Sequence, residues 1–264
     1  MSTNPYAAPR AQVADDAVVP RGDFLPAGRG VPAGNGWTWI TDAWSIFRAA
    51  AGTWIGIIVV LGLILIVLAF LPIIGTIATC VLGPVFTGGL MLASRDAEEG
   101  TLSFSRAFAG FSHRFGTLAT VGVLYLVGLV AIVFVASIVT GVGMFSMFGG
   151  ASPDQMARFG VTMLLTVLIM FALMLPLFMA LWFAPALVVY HDMGAVESMK
   201  ASFAGCLKNM LSFIVYGLLL FVAAILATIP LGLGWLVLGP VLAASVYTAY
   251  RDIYFSPQEQ QPGE

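Results

Sequence analysis

Few residues in this chain can move protons, hold a metal or attack a substrate, and their placement limits the chemistry available. Histidine occurs twice, as His113 and His191, and cysteine twice, as Cys80 and Cys206. His191 precedes Asp192, and such a pair serves acid–base or metal chemistry when a third polar group joins it. The sequence shows no third partner, so the pair is expected to be a solvated loop. Asp96, Glu98 and Glu99 form an acidic turn, expected to be a charged loop. No P-loop, dinucleotide-binding, HExxH or CxxC pattern occurs. The cysteines have no metal-like or disulfide spacing and read as small apolar packing residues. Neither a catalytic set, a metal site nor a cofactor is expected.

The elements that carry these residues are set by composition. Over 264 residues, 60% are hydrophobic and 9% charged, and the mean hydropathy is +0.99. A soluble domain carries roughly 25% charged residues, so this is an integral membrane protein. Residues 49–94, 115–153, 159–191 and 209–250 contain no Asp, Glu, Lys or Arg. A crossing needs about 20 apolar residues, so the first and last stretches hold two crossings each and the middle two hold one each. Six transmembrane helices are expected over about 54–71, 76–94, 117–140, 161–190, 210–229 and 233–250. Pro72 to Gly75 and Pro230 to Gly234 mark the tight reversals. The fourth segment exceeds a straight crossing and is expected to be tilted or partly interfacial.

An even number of crossings puts both termini on one side, together with the loops around 95–115 and 191–209. That side holds Arg10, Arg21, Arg29, Arg48, Arg95, Arg106, Arg114, Lys200, Lys208 and Arg251, against Arg158 opposite. The positive-inside rule makes it cytoplasmic. Trp37, Trp39, Trp44 and Trp54 flank the first span and Tyr247, Tyr250 and Tyr254 the last, where aromatic rings are expected as headgroup-level anchors.

The phrase AFAGFSHRFGTL at 107–118 recurs as SFAGCLKNMLSF at 202–213 and, more weakly, as IFRAAAGTWIGI at 46–57. Each copy places apolar groups at helical spacing: Ile40, Trp44, Phe47, Ala51; Phe104, Ala107, Phe108, Phe111; and Val196, Met199, Phe203, Leu207. Basic residues fill the other face, and these read as amphipathic helices in the interface, with Arg48, Arg106, Arg114, Lys200 and Lys208 toward lipid headgroups. Downstream, Gly83-Pro84 is followed by Arg95-Asp96, and Gly239-Pro240 by Arg251-Asp252, with one spacing; Ala184-Pro185 and His191-Asp192 form a shorter version. The chain therefore reads as three same-orientation units, about 37–96, 97–192 and 193–254, each an interfacial helix plus a two-helix hairpin. Residues 1–36, rich in Pro, and 255–264 are expected to be disordered cytoplasmic tails.

Pro84, Pro185 and Pro240 sit at related positions of the three units. Breaks of this kind either free backbone groups for a permease site or bend a helix for packing, and bending is the preferred reading. Met144, Phe145, Met147 and Phe148 in the external loop 141–160 are expected to anchor in the outer leaflet. Near the N-terminus Asn4, Pro5 and Tyr6 form a partly pre-extended segment suited to docking a cytoplasmic protein.

The blocks GWTWITDAWSIF and PALVVYHDMGAVESMKASFAGCLKN, within residues 37–254, resemble a poorly characterised family of bacterial multi-pass inner-membrane proteins. The second block is also similar to the membrane domain of some glycerophosphoryl diester phosphodiesterases. What that resemblance implies is membrane architecture, because the hydrolase's carboxylate and histidine set is lacking here. NPYAAPRAQV is similar to openings of several bacterial membrane proteins.

The expected role is a non-enzymatic inner-membrane scaffold or accessory protein, in contact with membrane lipids and with no nucleic-acid partner. A permease for a lipid or small amphiphile is the alternative, and a membrane enzyme using His191 and Asp192 comes third.

Overall fold

The computed structural model describes residues 22–145 and 152–257. In chain order they form α1 (Asn35–Ala49), α2 (Ala51–Ala69), α3 (Pro72–Glu98), a 3-10 segment (Phe104–Phe111), α4 (Phe115–Phe145), α5 (Pro153–Trp182), α6 (Ala184–His191), α7 (Ala195–Lys208), α8 (Met210–Thr228) and α9 (Trp235–Tyr254). The described residues are otherwise loops and turns, with one isolated bridge between Phe24 and Phe255. The fold is all-helical. Five segments are long and apolar enough to cross a membrane: Ala51–Ala69, Pro72–Glu98, Phe115–Gly141, Pro153–His191 and Met210–Thr228. α9, which carries the sixth expected crossing, ends in the charged Arg251-Asp252 pair and lies outside that set.

Local sequence explains the boundaries. Pro72 and Pro153 open α3 and α5 at positions where the missing amide is not needed. Ser152 accepts from Gln155 N while Gln155 Oε1 accepts from Ser152 N, a reciprocal cap. A single non-helical residue joins each of two short helices to the long helix after it. At Ala50 φ and ψ are −144° and 44°, and at Asn209 −117° and 25°. Leu231 (φ 54°) and Gly232 (φ 82°) turn the chain between α8 and α9.

The core gathers on the inner faces of α1, α3, α6 and α9. α9 packs on α1, α2, α3 and α8, and α3 also meets α4, α6 and the 3-10 segment. Small residues set the closest approaches: a Cβ at Gly110 would collide with Val85 O, and one at Gly89 with Ala107 O. α7 buries Ser198, Ser202, Gly205 and Cys206 and exposes Val196 and Leu207. Close packing through small residues with large apolar groups turned outward is the arrangement of helices in lipid.

Several expectations are corrected. Residues 22–34 are not a loose tail but a strap held against α7 and α9: Leu25 N donates to Tyr254 O and Arg29 N to Ile253 O, both at 2.8 Å. Gly28 makes this possible, because its φ is 63° and its Cα side lies against Gly205. Trp39 and Trp54 are 1% and 0% exposed, and Tyr247, Tyr250 and Tyr254 are buried as well. These five rings belong to the core, whereas Trp37 and Trp44 are exposed as expected. The middle copy of the amphipathic helix is a 3-10 turn, with Phe104 and Phe111 exposed. The fourth long segment is two helices, broken at Phe183.

Candidate functional site

α3, α6 and α9 finish at one end of the bundle and enclose, with α1 and the strap, a cleft of about 970 Å³. The first residues of the three repeated doublets, Arg95, His191 and Arg251, all line it. Asp252 anchors one wall. Its carboxylate accepts from Arg29 Nη2 at 2.6 Å, Asn35 Nδ2 at 2.7 Å and Trp39 Nε1 at 2.8 Å, while Arg29 Nε donates to its backbone oxygen. Three donors from strap and helix thus converge on one acceptor, and charge-assisted bonds of this kind are the stronger class.

The opposite wall is built from α3 and α9. Glu98 takes the Arg251 guanidinium on both oxygens and a hydrogen bond from Tyr247 OH at 3.0 Å. Tyr190 OH donates to Met91 O at 2.6 Å, and the Arg95 guanidinium sits 5.6 Å from the Tyr190 ring centre. His191 Nε2 shares a hydrogen bond of 2.5 Å with Tyr250 OH, and its ring stacks on Phe24 at 3.4 Å between centroids.

His191 and Asp192 therefore separate. Asp192 adopts φ 55°, turns away from the cleft and pairs with Arg114 Nε at 2.6 Å. Arg114 also donates to Asp192 O. Instead of a solvated loop, His191 is the partner of Tyr250 inside the cleft. Among the described residues no group of three or more His, Cys, Asp or Glu is placed to hold a metal.

None of the three prolines lines the cleft. All are buried, in α3, α6 and α9. Pro185 shows why in detail. Its ring removes a backbone donor and crowds the preceding turn, and here the helix breaks at Phe183, which lets the Ser202 hydroxyl of α7 insert between Phe183 N, which donates to it at 2.9 Å, and Met179 O, which accepts from it at 2.6 Å. Cys206 Sγ also lies 3.5 Å from Met179 O. The backbone groups released there are closed by the protein itself. Near Pro84, Gly122 lets α4 pack closely on α3, where a Cβ would collide with the carbonyl oxygens of Cys80 and Val81.

The basic residues expected at lipid headgroups fall into two sets. Arg48 and Lys200 are exposed, with no hydrogen bond or ion pair among the described residues. Arg106 Nε lies 2.7 Å from Asp96 Oδ2, Arg114 is held by Asp192, and Lys208 Nζ donates to Ala27 O and Gly28 O at 2.9 Å. Asn4, Pro5, Tyr6, Met147 and Phe148 lie outside the described residues. Burial pushes the Cys206 thiol up to about 12, in keeping with a packing role.

Sequence reasoning missed Asp252, Glu98, Arg29 and Asn209 as partners. Asn209 Oδ1 accepts from Val31 N at 2.7 Å and its Nδ2 donates to Arg29 O, fastening the strap. The signal that was present is the repeated doublet itself, since Arg95, His191 and Arg251 end equivalent stretches.

The chain is similar to a probable inner membrane protein of Burkholderia thailandensis, 29% identical over 227 residues that cover 82% of each protein. No protein-family model and no solved structure matches it. Nothing in these comparisons ties the chain to glycerophosphoryl diester phosphodiesterases. Its long apolar helices and this likeness make it a transmembrane protein.

Proposed function

We propose that this is a non-enzymatic inner-membrane scaffold or accessory protein, built from three like-oriented units with six crossings and both ends in the cytoplasm. The observation that carries this reading is how the cleft uses its reactive side chains. Asp252, Glu98 and His191 are each already bound, to Arg29, to Arg251 and to Tyr250. Catalysis requires a nucleophile or base open to substrate, and these groups instead tie α3 and α6 to α9 and α9 to the strap.

The unit order supports the three-part reading, since short segment, long helix and long helix follow one another three times, with α5 and α6 together as the second long element of the middle unit. Sidedness rests on charge. Arg29, Arg48, Arg95, Arg106, Arg114, Lys200, Lys208 and Arg251 precede or follow apolar segments at the strap end, and Arg158 lies at the start of α5. Exposed Arg48 and Lys200 suit contact with lipid phosphates. The permease alternative is weakened because the break before Pro185 is closed by Ser202 and none of the three prolines lines the cleft.

Asn4, Pro5 and Tyr6 are proposed to dock a cytoplasmic protein. The test compares proteins co-purified with the full chain and with a chain lacking residues 2–20, which spares the strap. Loss of one stoichiometric partner is the expected result. An unchanged set of proteins overturns the docking role.

A further inference from the structure

The last helix of one proposed unit packs on the first long helix of the next where α3 meets α4 and where α9 meets α2. At the third such place α5 packs on α4, α6 and α7, and α8 packs on α1, α7 and α9. α5 and α8 come together through rings near the start of α8, with Trp182 5.9 Å from Phe213 and 6.2 Å from Tyr216 between centres. Beyond these rings both faces are bare. On α5, Phe178, Leu175, Phe171, Leu168 and Leu164 lead away from Trp182 at helical spacing, and all are exposed, Phe171 by 73%. On α8, Gly217, Ala224 and Thr228 continue the face of Phe213. A Cβ at Gly217 would meet nothing. Farther along, Phe221, Ala224, Ile225, Thr228 and Ile229 line a groove of about 480 Å³. The Thr228 hydroxyl is engaged within the protein, donating to Ala224 O and accepting from Trp235 Nε1, so the groove is apolar.

The occupant that fits this seam is slender and apolar. Helices that pack in a membrane approach through small residues, and the α5 face offers only Phe and Leu. A helix is also about 10–12 Å across, so over the roughly 12 Å from Phe221 to Ile229 it displaces on the order of 1,000 Å³, more than the groove holds. We propose that the seam between α5 and α8 holds one acyl chain of a membrane phospholipid as a retained component of the protein. The chain runs along α8 from Thr228 to Gly217, about 17 Å, and ends beneath the rings. There Gly217 stands one turn from Phe213, and Phe178 one turn from Trp182. A chain on a single helix face touches protein on one side, whereas at this apex it gains dispersion contacts from both walls. The groove opens toward the α8–α9 turn, which places the lipid in the leaflet on that side. The comparison of seams rests on the three-unit reading; the bare faces and the groove do not.

The test reconstitutes the full chain in vesicles of palmitoyl-oleoyl phosphatidylethanolamine and phosphatidylglycerol, extracts it in mild detergent and counts bound lipid by native mass spectrometry. One retained phospholipid per chain is expected. Gly217→Leu fills the apex without a collision inside the protein and should lower the lipid-bound fraction at least tenfold with the fold intact. Ala224→Phe should do the same from the floor of the groove, and if one variant fails to fold the other decides. Leu226→Phe, at an exposed position of α8 outside the groove, should retain lipid as the parent does. A parent without retained lipid, or seam variants that keep it, overturns the proposal. So does an equal loss in Leu226→Phe, which marks lipid held by the general surface. A second copy or a partner helix found in place of lipid, and released by Gly217→Leu, overturns it as well. The lipid count does not report topology, so each of these results leaves untouched the three-unit reading, which depends on whether α9 crosses the membrane.

Discussion

At the end where α3, α6 and α9 finish, Tyr247, Tyr250 and Tyr254 are buried, and each hydroxyl is hydrogen-bonded, to Glu98, His191 and Ala201 O. At the opposite end, around the α2–α3 and α8–α9 turns, Phe70, Ile73, Ile74, Ile229 and Leu231 are exposed, Leu231 by 97%. Lipid solvates the second set at no cost. It gives nothing to the first, because helix ends and side-chain polar groups near hydrocarbon must find partners within the protein. The strap end is therefore held by specific polar bonds and the turn end by short local ones, such as Gly232 N to Thr228 O and Trp235 Nε1 to Thr228 Oγ1.

If that contrast holds, damage at the two ends should differ in size. Asp252→Ala strands three donors, and hydrogen bonds to a charged group contribute about 1.5–3 kcal/mol; after allowance for its partial exposure, a loss of about 2 kcal/mol is expected in melts of the detergent-solubilised protein. Ser202→Ala leaves Phe183 N unbonded and Met179 O with only the weak Cys206 thiol donor, and should cost about 1–3 kcal/mol by the same measurement. Gly110→Ala forces a Cβ into Val85 O and is expected to cost about 1–3 kcal/mol. At the other end Leu231→Ala should stay within about 0.5 kcal/mol of the parent. A Leu231 change as damaging as Asp252→Ala would abolish the distinction. Smaller still in stability is the pair Arg48→Gln and Lys200→Gln, which should leave melting unchanged. Each should weaken association with anionic lipid by about 1 kcal/mol, read as retained anionic lipid in native mass spectrometry.

Much of the membrane architecture was legible because its cause is local. Charge-free runs and Pro-Gly reversals depend on neighbouring residues alone, so Ala51–Ala69, Pro72–Glu98, Phe115–Phe145 and Met210–Thr228 match expected spans closely. The break at Phe183 was harder to see. Pro185 announced a bend, but the hydroxyl that fills it comes from Ser202, on another helix. The strap was invisible for the same reason: Leu25 and Arg29 bond to residues more than 220 positions away. Trp39 and the three tyrosines carried a membrane-anchor signature and are core residues, because Asp252, Glu98, His191 and Ala201 supply their polar partners inside the protein. As for the cleft, the repeats marked Arg95, His191 and Arg251 as equivalent, whereas their meeting at one place depends on tertiary packing.

The account turns on α9 as a sixth crossing that returns the chain to the strap side, and labelling of single cysteines tests it most directly. With Cys80 and Cys206 replaced by Ser, one chain carries Leu231→Cys and another a cysteine appended after Glu264. In intact cells a membrane-impermeant maleimide should label the first and not the second, and both should react after lysis. If the two positions label alike in intact cells, α9 does not cross and the three-unit arrangement falls.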